Sequence, residues 1–165
     1  MDPFYWVIAG QLAGMPFPFL HPERRLRGNA SLDAFEDDLQ LLFQAGIRAV
    51  VSLVNNPTDA SCYRDAGFGF LCLPVPDGGA PSVEQVVAFT SFVAGFHRRG
   101  EAVVVHCHAG LGRTGTMLAA FLIGTGKSPE EAIALVRKVE PAAIETRRQH
   151  DFLLALPGNL PANTL

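Results

Sequence analysis

Hydrophobic positions along the chain alternate between two patterns. The β-branched and aliphatic runs "IRAVVSLV" (47–54), "FGFLCLPV" (68–75) and "EAVVVHC" (101–107) read as buried strands. "YWVIAGQLAG" (5–14) reads as one or two short strands broken by Gly10 and Gly14. Between these runs the spacing becomes helical. Ser31 is positioned to cap a helix running to Ala45, with Leu32, Phe35, Leu39, Leu42 and Phe43 on one face and Gly46 as its stop. Ser82 and Gln85 form a capping-box pair. The helix they open carries Val83, Val86, Val87, Phe89, Phe92, Val93 and Phe96, and ends near Gly100. Further helices are predicted from about Arg113 to Ile123, from Ser128-Pro129 to Glu140, and from Thr146 to Leu156.

Strands alternating with helices predict an α/β fold: one domain over residues 1–165, with a central, mostly parallel sheet flanked by helices. No repeat or composition break marks a second domain. The Pro-rich stretch "MPFPFLHPERRLRG" (15–28) is expected to cover the sheet. In such folds ligands sit at the carboxyl ends of strands, which is where "VVVHCHAGLGRTGT" (103–116) falls.

Composition narrows the function. The 165 residues are long enough to bury a core, and a net charge of −3 argues against a general nucleic-acid or membrane-surface binder. The basic clusters Arg24-Arg25-Arg27, Arg98-Arg99 and Arg147-Arg148 read as solvated faces. Three widely spaced cysteines do not suggest a disulfide framework, so a reducing, cytoplasmic setting is expected. The N-terminus lacks the pattern of a signal peptide, and the apolar run Met117–Ile123 is too short to span a bilayer. A soluble monomer is expected, with neither metal nor cofactor.

The chemistry concentrates in one loop. Cys107 and Arg113 bracket His108, Ala109, Gly110, Leu111 and Gly112 between a strand and a helix. A loop this short can turn its N–H groups toward one point, with Gly110 and Gly112 allowing the positive φ angles that this needs. The following helix adds its dipole and its unbonded N–H groups. Arg113 can hold two oxygens of a tetrahedral anion at once. Cys107 lies in the same positive field, and helix N-termini can lower a thiol pKa from about 8.5 to roughly 3.5–7.5. A thiolate beneath a cradled phosphorus atom is an in-line nucleophile, and Thr114 could bond the sulfur as it leaves.

A rival reading uses the same letters. "GLGRTG" (110–115) matches the G-x-G-x-x-G dinucleotide fingerprint, with Glu130 or Glu131 as the acidic partner downstream. It leaves Cys107 and Arg113 without a purpose. A Walker-type loop fails, because no Lys-Ser or Lys-Thr follows the glycines.

Cys-x5-Arg followed by Thr-Gly resembles the signature of cysteine-dependent protein tyrosine phosphatases. The stretches "WVIAGQLAG" (6–14), "GIRAVVSL" (46–53), "GEAVVVHC" (100–107) and "IETRRQ" (144–149) extend the likeness to the small atypical dual-specificity phosphatases. The resemblance implies hydrolysis of phosphorylated protein or peptide through a phosphocysteine on Cys107. It also implies a general acid and base from a Pro-Asp loop, here Asp77 in "LPVPDGGAP" (73–81). The family often has an aromatic residue after this Asp, where the chain has Gly78 and Gly79. Gln149 matches a glutamine that helps position the hydrolytic water. Glu145 and Thr146 are expected to cap the last helix and hold it near the loop, His106 to support the loop by hydrogen bonding, and His108 to line the pocket.

Inositol-phosphate phosphatases of this kind usually place lysines in the loop, where this chain has His108, Ala109 and Leu111. A phosphoinositide or other non-protein phosphatase stays open as an alternative, since Arg147 and Arg148 could approach the pocket. A phosphate-binding pseudophosphatase is opposed by the intact Cys107, Arg113 and Asp77. Cys62 and Cys72 read as core or near-surface residues.

Overall fold

The computed structural model of the chain describes residues 4–16, 32–55, 57–158 and 160. Its described strands are β1 (Tyr5–Ile8), β2 (Leu12–Met15), β3 (Ile47–Ser52), β4 (Gly69–Cys72) and β5 (Ala102–His106). They form one sheet in the order β1-β2-β5-β3-β4, antiparallel between β1 and β2 and parallel elsewhere. The helices are α1 (Leu32–Gln44), α2 (Pro57–Asp65), α3 (Val83–His97), α4 (Gly112–Gly124), α5 (Pro129–Val139) and α6 (Arg147–Ala155). The fold is the expected α/β arrangement, with a mixed sheet between helices.

The two-residue period of the strands sorts side chains into two cores. Val103, Val105 and Cys107 join Leu12, Ala49, Val51 and the helical layer of α3, α4, α5 and α6. Ala102 and Val104 face the other way, with Ala13, Ile47, Val50, Leu42, Tyr63 and Phe68, beneath α1 and α2. Helix α4 is buried from Gly112 to Ile123, as a helix apolar on all sides must be. It packs against β2, β5, α3, α5 and α6. Burying each of its large aliphatic side chains contributes about 1.5–3 kcal/mol, so α4 is a rigid base for whatever its N-terminus holds.

The capping boxes are present at Ser82–Gln85 and Ser128–Glu131, with Pro129 in the first turn of α5. Two departures from the sequence reading stand out. Gly10 does turn the chain between β1 and β2, at φ +66°, but Gly14 lies inside β2. Tyr5 is its cross-strand partner, and the Tyr5 ring occupies the place a Cβ on Gly14 would take. Helix α2 gives little sequence signal because "PTDASCYRD" is mostly polar. The Ser31 cap, most of the Pro-rich stretch and Arg24, Arg25 and Arg27 lie outside the described residues. No helix among the described residues is long and apolar enough to cross a membrane.

Candidate active site

Parallel strands release their connections at one edge, and the site is built there from three of them. Residues after β3 (Val54, Asn55), after β4 (Pro74, Val75, Pro76) and after β5 (His108, Arg113) line one cleft of about 520 Å³. Backbone bonds extend the sheet toward it, from Leu53 N–H to the His106 carbonyl (2.9 Å) and from Val75 N–H to the Leu53 carbonyl (3.0 Å).

Cys107 lies in this edge, 2% exposed. The Gly110 N–H donates to its Sγ at 3.3 Å. Gly110 adopts φ +78°, and a Cβ there would stand 2.5 Å from the Met15 carbonyl oxygen, so the loop needs glycine on both counts. Leu111 precedes α4 and makes no side-chain cap, leaving the first-turn N–H groups for a ligand. Gly112, expected to need a positive φ, is instead helical; it is glycine because a Cβ there would run into the Glu145 carboxylate and the Gln149 amide. His108 and Ala109 are exposed on the loop.

Arg113 is 6% exposed, and both of its terminal nitrogens have partners. One terminal nitrogen donates to the Val75 carbonyl at 3.1 Å, and the other lies 3.1 Å from an Asp77 carboxylate oxygen. The Asp77 side chain is 94% exposed, so this carboxylate faces solvent while it contacts the buried Arg113. The next residue, Thr114, is fully buried, and its hydroxyl has no hydrogen-bond partner among the described residues.

His106 is buried one residue ahead of the thiol, its Nδ1 3.1 Å from the Cys107 carbonyl. A carbonyl only accepts, so Nδ1 carries the proton. Burial pushes the His106 pKa down to about 4, with His108 and Arg113 acting in the same direction and the bond to Cys107 opposing. The imidazole is therefore neutral at physiological pH, with its Nδ1–H on the Cys107 carbonyl.

The N-terminus of α6 clasps the acid loop. Thr146 caps the helix and donates its hydroxyl to the Gly78 carbonyl at 2.9 Å. Gln149, 1% exposed, donates its amide to the Gly79 carbonyl at 3.1 Å and accepts from the Thr146 N–H at 3.0 Å. Both ends of that amide are thus occupied. Glu145 is exposed beside Gly112 and lines a separate cleft with Arg147 and His150. Arg147 and Arg148 are exposed, and neither lines the cleft above Arg113. Cys62 is half-buried and Cys72 exposed; neither is in a disulfide, and the Cys72 thiol donates to the Val54 carbonyl at 3.4 Å.

The sequence reading missed Tyr5, whose hydroxyl donates to the Gly110 carbonyl at 2.6 Å, and the Val75 carbonyl under Arg113. The only sequence sign of the first was a tyrosine facing a glycine across a short hairpin. The dinucleotide reading fails on its acidic partner. Glu130 and Glu131 stand in the first turn of α5, with Glu131 bonded to the Ser128 N–H at 3.1 Å, rather than at a strand end. Among the described residues, no group of three or more His, Cys, Asp or Glu comes together to hold a metal ion.

Residues 27–127 match the family described as the polymorphic toxin system DSP-PTPase phosphatase. The chain is 31% identical over 148 residues to the human dual specificity protein phosphatase CDC14A, covering 89% of this chain and 24% of that protein. It is 30% identical over 133 residues to the tyrosine-protein phosphatase CDC14 of Candida albicans, covering 80% and 24%. The chain thus spans about a quarter of the length of these curated relatives. Among solved structures it resembles Tk-PTP in the active form, with a TM-score of 0.75 and 31% identity over 93% of this chain and 95% of that one. PTPMT1, at 23% identity and a TM-score of 0.69, shares the fold over 92% and 90%.

Proposed function

Since the chain belongs to the DSP-PTPase family of cysteine-dependent phosphatases, we propose that it hydrolyses phosphomonoesters on phosphorylated protein or peptide through a phosphocysteine on Cys107. The observation that carries this reading is the pairing of Arg113 with Asp77 at the uncapped N-terminus of α4, directly after the loop whose Gly110 N–H donates to the Cys107 sulfur.

The substrate phosphate would enter the loop of residues 108–112, accepting its N–H groups and the Arg113 fork. The Asp77 side of its pair with Arg113 is open to solvent, which screens it, so a dianionic phosphate can take Arg113 from Asp77. The released Asp77 then stands over the cleft, where the leaving oxygen emerges. The Cys107 thiolate attacks phosphorus, the P–O bond breaks, and Asp77 protonates the departing oxygen. In the second step water attacks phosphorus, Asp77 takes its proton, and the S–P bond breaks to free phosphate. The buried, unpartnered Thr114 hydroxyl supports its assignment as a donor to the leaving sulfur. For Gln149 to position the water, its amide would exchange the Gly79 carbonyl for that water in the second step.

Apart from Arg113 and His108, the residues lining the cleft are uncharged, which suits a single phosphate on an apolar body better than a multiply phosphorylated ring. The test is hydrolysis of an aryl phosphate by wild type, Cys107→Ser and Asp77→Ala. Near-total loss in the first and a large loss in the second are expected. Equal turnover by Cys107→Ser and wild type overturns the reading.

A further inference from the structure

The N-terminal hairpin reaches into the phosphate loop from behind. Tyr5 stands opposite Gly14 in the β1–β2 register, and Gly14 pairs in turn with Val105 of β5. Gly14 has no side chain, so the Tyr5 ring crosses over β2 at that point. Its part-buried hydroxyl then reaches the Gly110 carbonyl, 105 residues away in sequence. Gly110 also lies against the backbone of Met15 and Pro16, where a Cβ would not fit. The loop is therefore backed by β1 and β2 on the side away from the cleft.

A trans peptide points its C=O and the next N–H in opposite directions. Fixing the Gly110 carbonyl toward Tyr5 therefore turns the Leu111 N–H the other way, toward the space the loop encloses. The same residue supplies the N–H bonded to the Cys107 sulfur. The tyrosine hydroxyl thus fixes the plane that carries the Leu111 amide and anchors the residue whose own N–H bonds the nucleophile.

We propose that Tyr5 is a positioning residue of the phosphate loop, holding the Gly110 carbonyl outward so that the Gly110 and Leu111 amides serve the sulfur and the phosphate. This rests on the phosphatase reading above. Burial and the nearby Cys107 raise the Tyr5 pKa well above its ordinary value, so it stays a neutral donor throughout the working pH range. The ring packs without its hydroxyl, which makes Tyr5→Phe the informative variant.

The experiment measures aryl phosphate hydrolysis against pH and inhibition by vanadate, for wild type and Tyr5→Phe. In the variant, vanadate affinity and kcat/KM are each expected to fall by about three- to tenfold, the effect of one hydrogen bond. The acidic limb of the kcat/KM profile is expected to move to higher pH, because the sulfur loses an aimed donor. Loss of thermal stability with unchanged vanadate affinity and an unchanged acidic limb overturns the proposal and leaves Tyr5 a packing residue. If Tyr5→Phe does not fold, amide NMR of the wild type decides. The Gly110 and Leu111 resonances must shift as vanadate is added, and a silent Leu111 amide overturns the proposal. Wild type that neither turns over aryl phosphate nor binds vanadate would instead defeat the phosphatase reading itself.

Discussion

Arg113 and Asp77 are paired at 3.1 Å, a buried guanidinium against an exposed carboxylate. The pairing links the residue proposed to bind phosphate with the one proposed to move the proton. In the proposed mechanism, phosphate binding at Arg113 releases the acid.

Removing the carboxylate should separate the two roles. Asp77→Asn is expected to lower kcat by roughly 10²–10⁴ on a poor leaving group such as phenyl phosphate, and by much less on p-nitrophenyl phosphate. Vanadate should bind it as tightly as wild type or more tightly, because the carboxylate no longer competes for Arg113. Parallel losses of vanadate affinity and turnover would place Asp77 in binding rather than in proton transfer.

Arg113→Lys keeps the charge and loses the fork. Lysine cannot bond the Val75 carbonyl and still offer two parallel donors to phosphate. A charge-assisted bond is worth about 1.5–3 kcal/mol, so kcat/KM should fall roughly 10- to 150-fold. Steady-state kinetics at saturating and limiting substrate measure this directly.

Gly110→Ala should damage the loop through the backbone. A left-handed conformation costs a non-glycine residue about 1–3 kcal/mol, and here the added Cβ also meets the Met15 carbonyl and Pro16 nitrogen. Those neighbours are main chain and cannot turn aside. Both the midpoint of thermal unfolding and the affinity for vanadate are expected to drop; retention of wild-type affinity would contradict the cradle assigned to Gly110.

His106 makes stability depend on pH. Its folded pKa of about 4 lies below the ordinary 6.5, so between these values the unfolded chain takes up a proton that the folded chain refuses. The contribution is complete above pH 6.5 and is lost as the pH falls toward 4, amounting to about 3 kcal/mol. Urea unfolding from pH 7.5 to 4 should show this slope, and His106→Gln should flatten it while lowering stability at neutral pH.

The elements and the reactive loop were legible because their signals are local. Capping boxes span four residues, strand alternation needs only neighbours, and Cys107 and Arg113 share one turn of chain. Helix α2 escaped because a polar segment carries no periodic apolar face, and Gly14 was misread as a break because its reason for being glycine is the ring of Tyr5. The sequence by itself determined the α/β class, most of the helices, and the thiol, arginine and glycines of the loop. Only the tertiary structure decided which distant groups hold them: Tyr5 on Gly110, Val75 and Asp77 on Arg113, and Thr146 and Gln149 on the acid loop. Those bonds join segments up to 105 residues apart. They exist because the order β1-β2-β5-β3-β4 gathers the ends of separate strands at one edge, and no short stretch of sequence records that order.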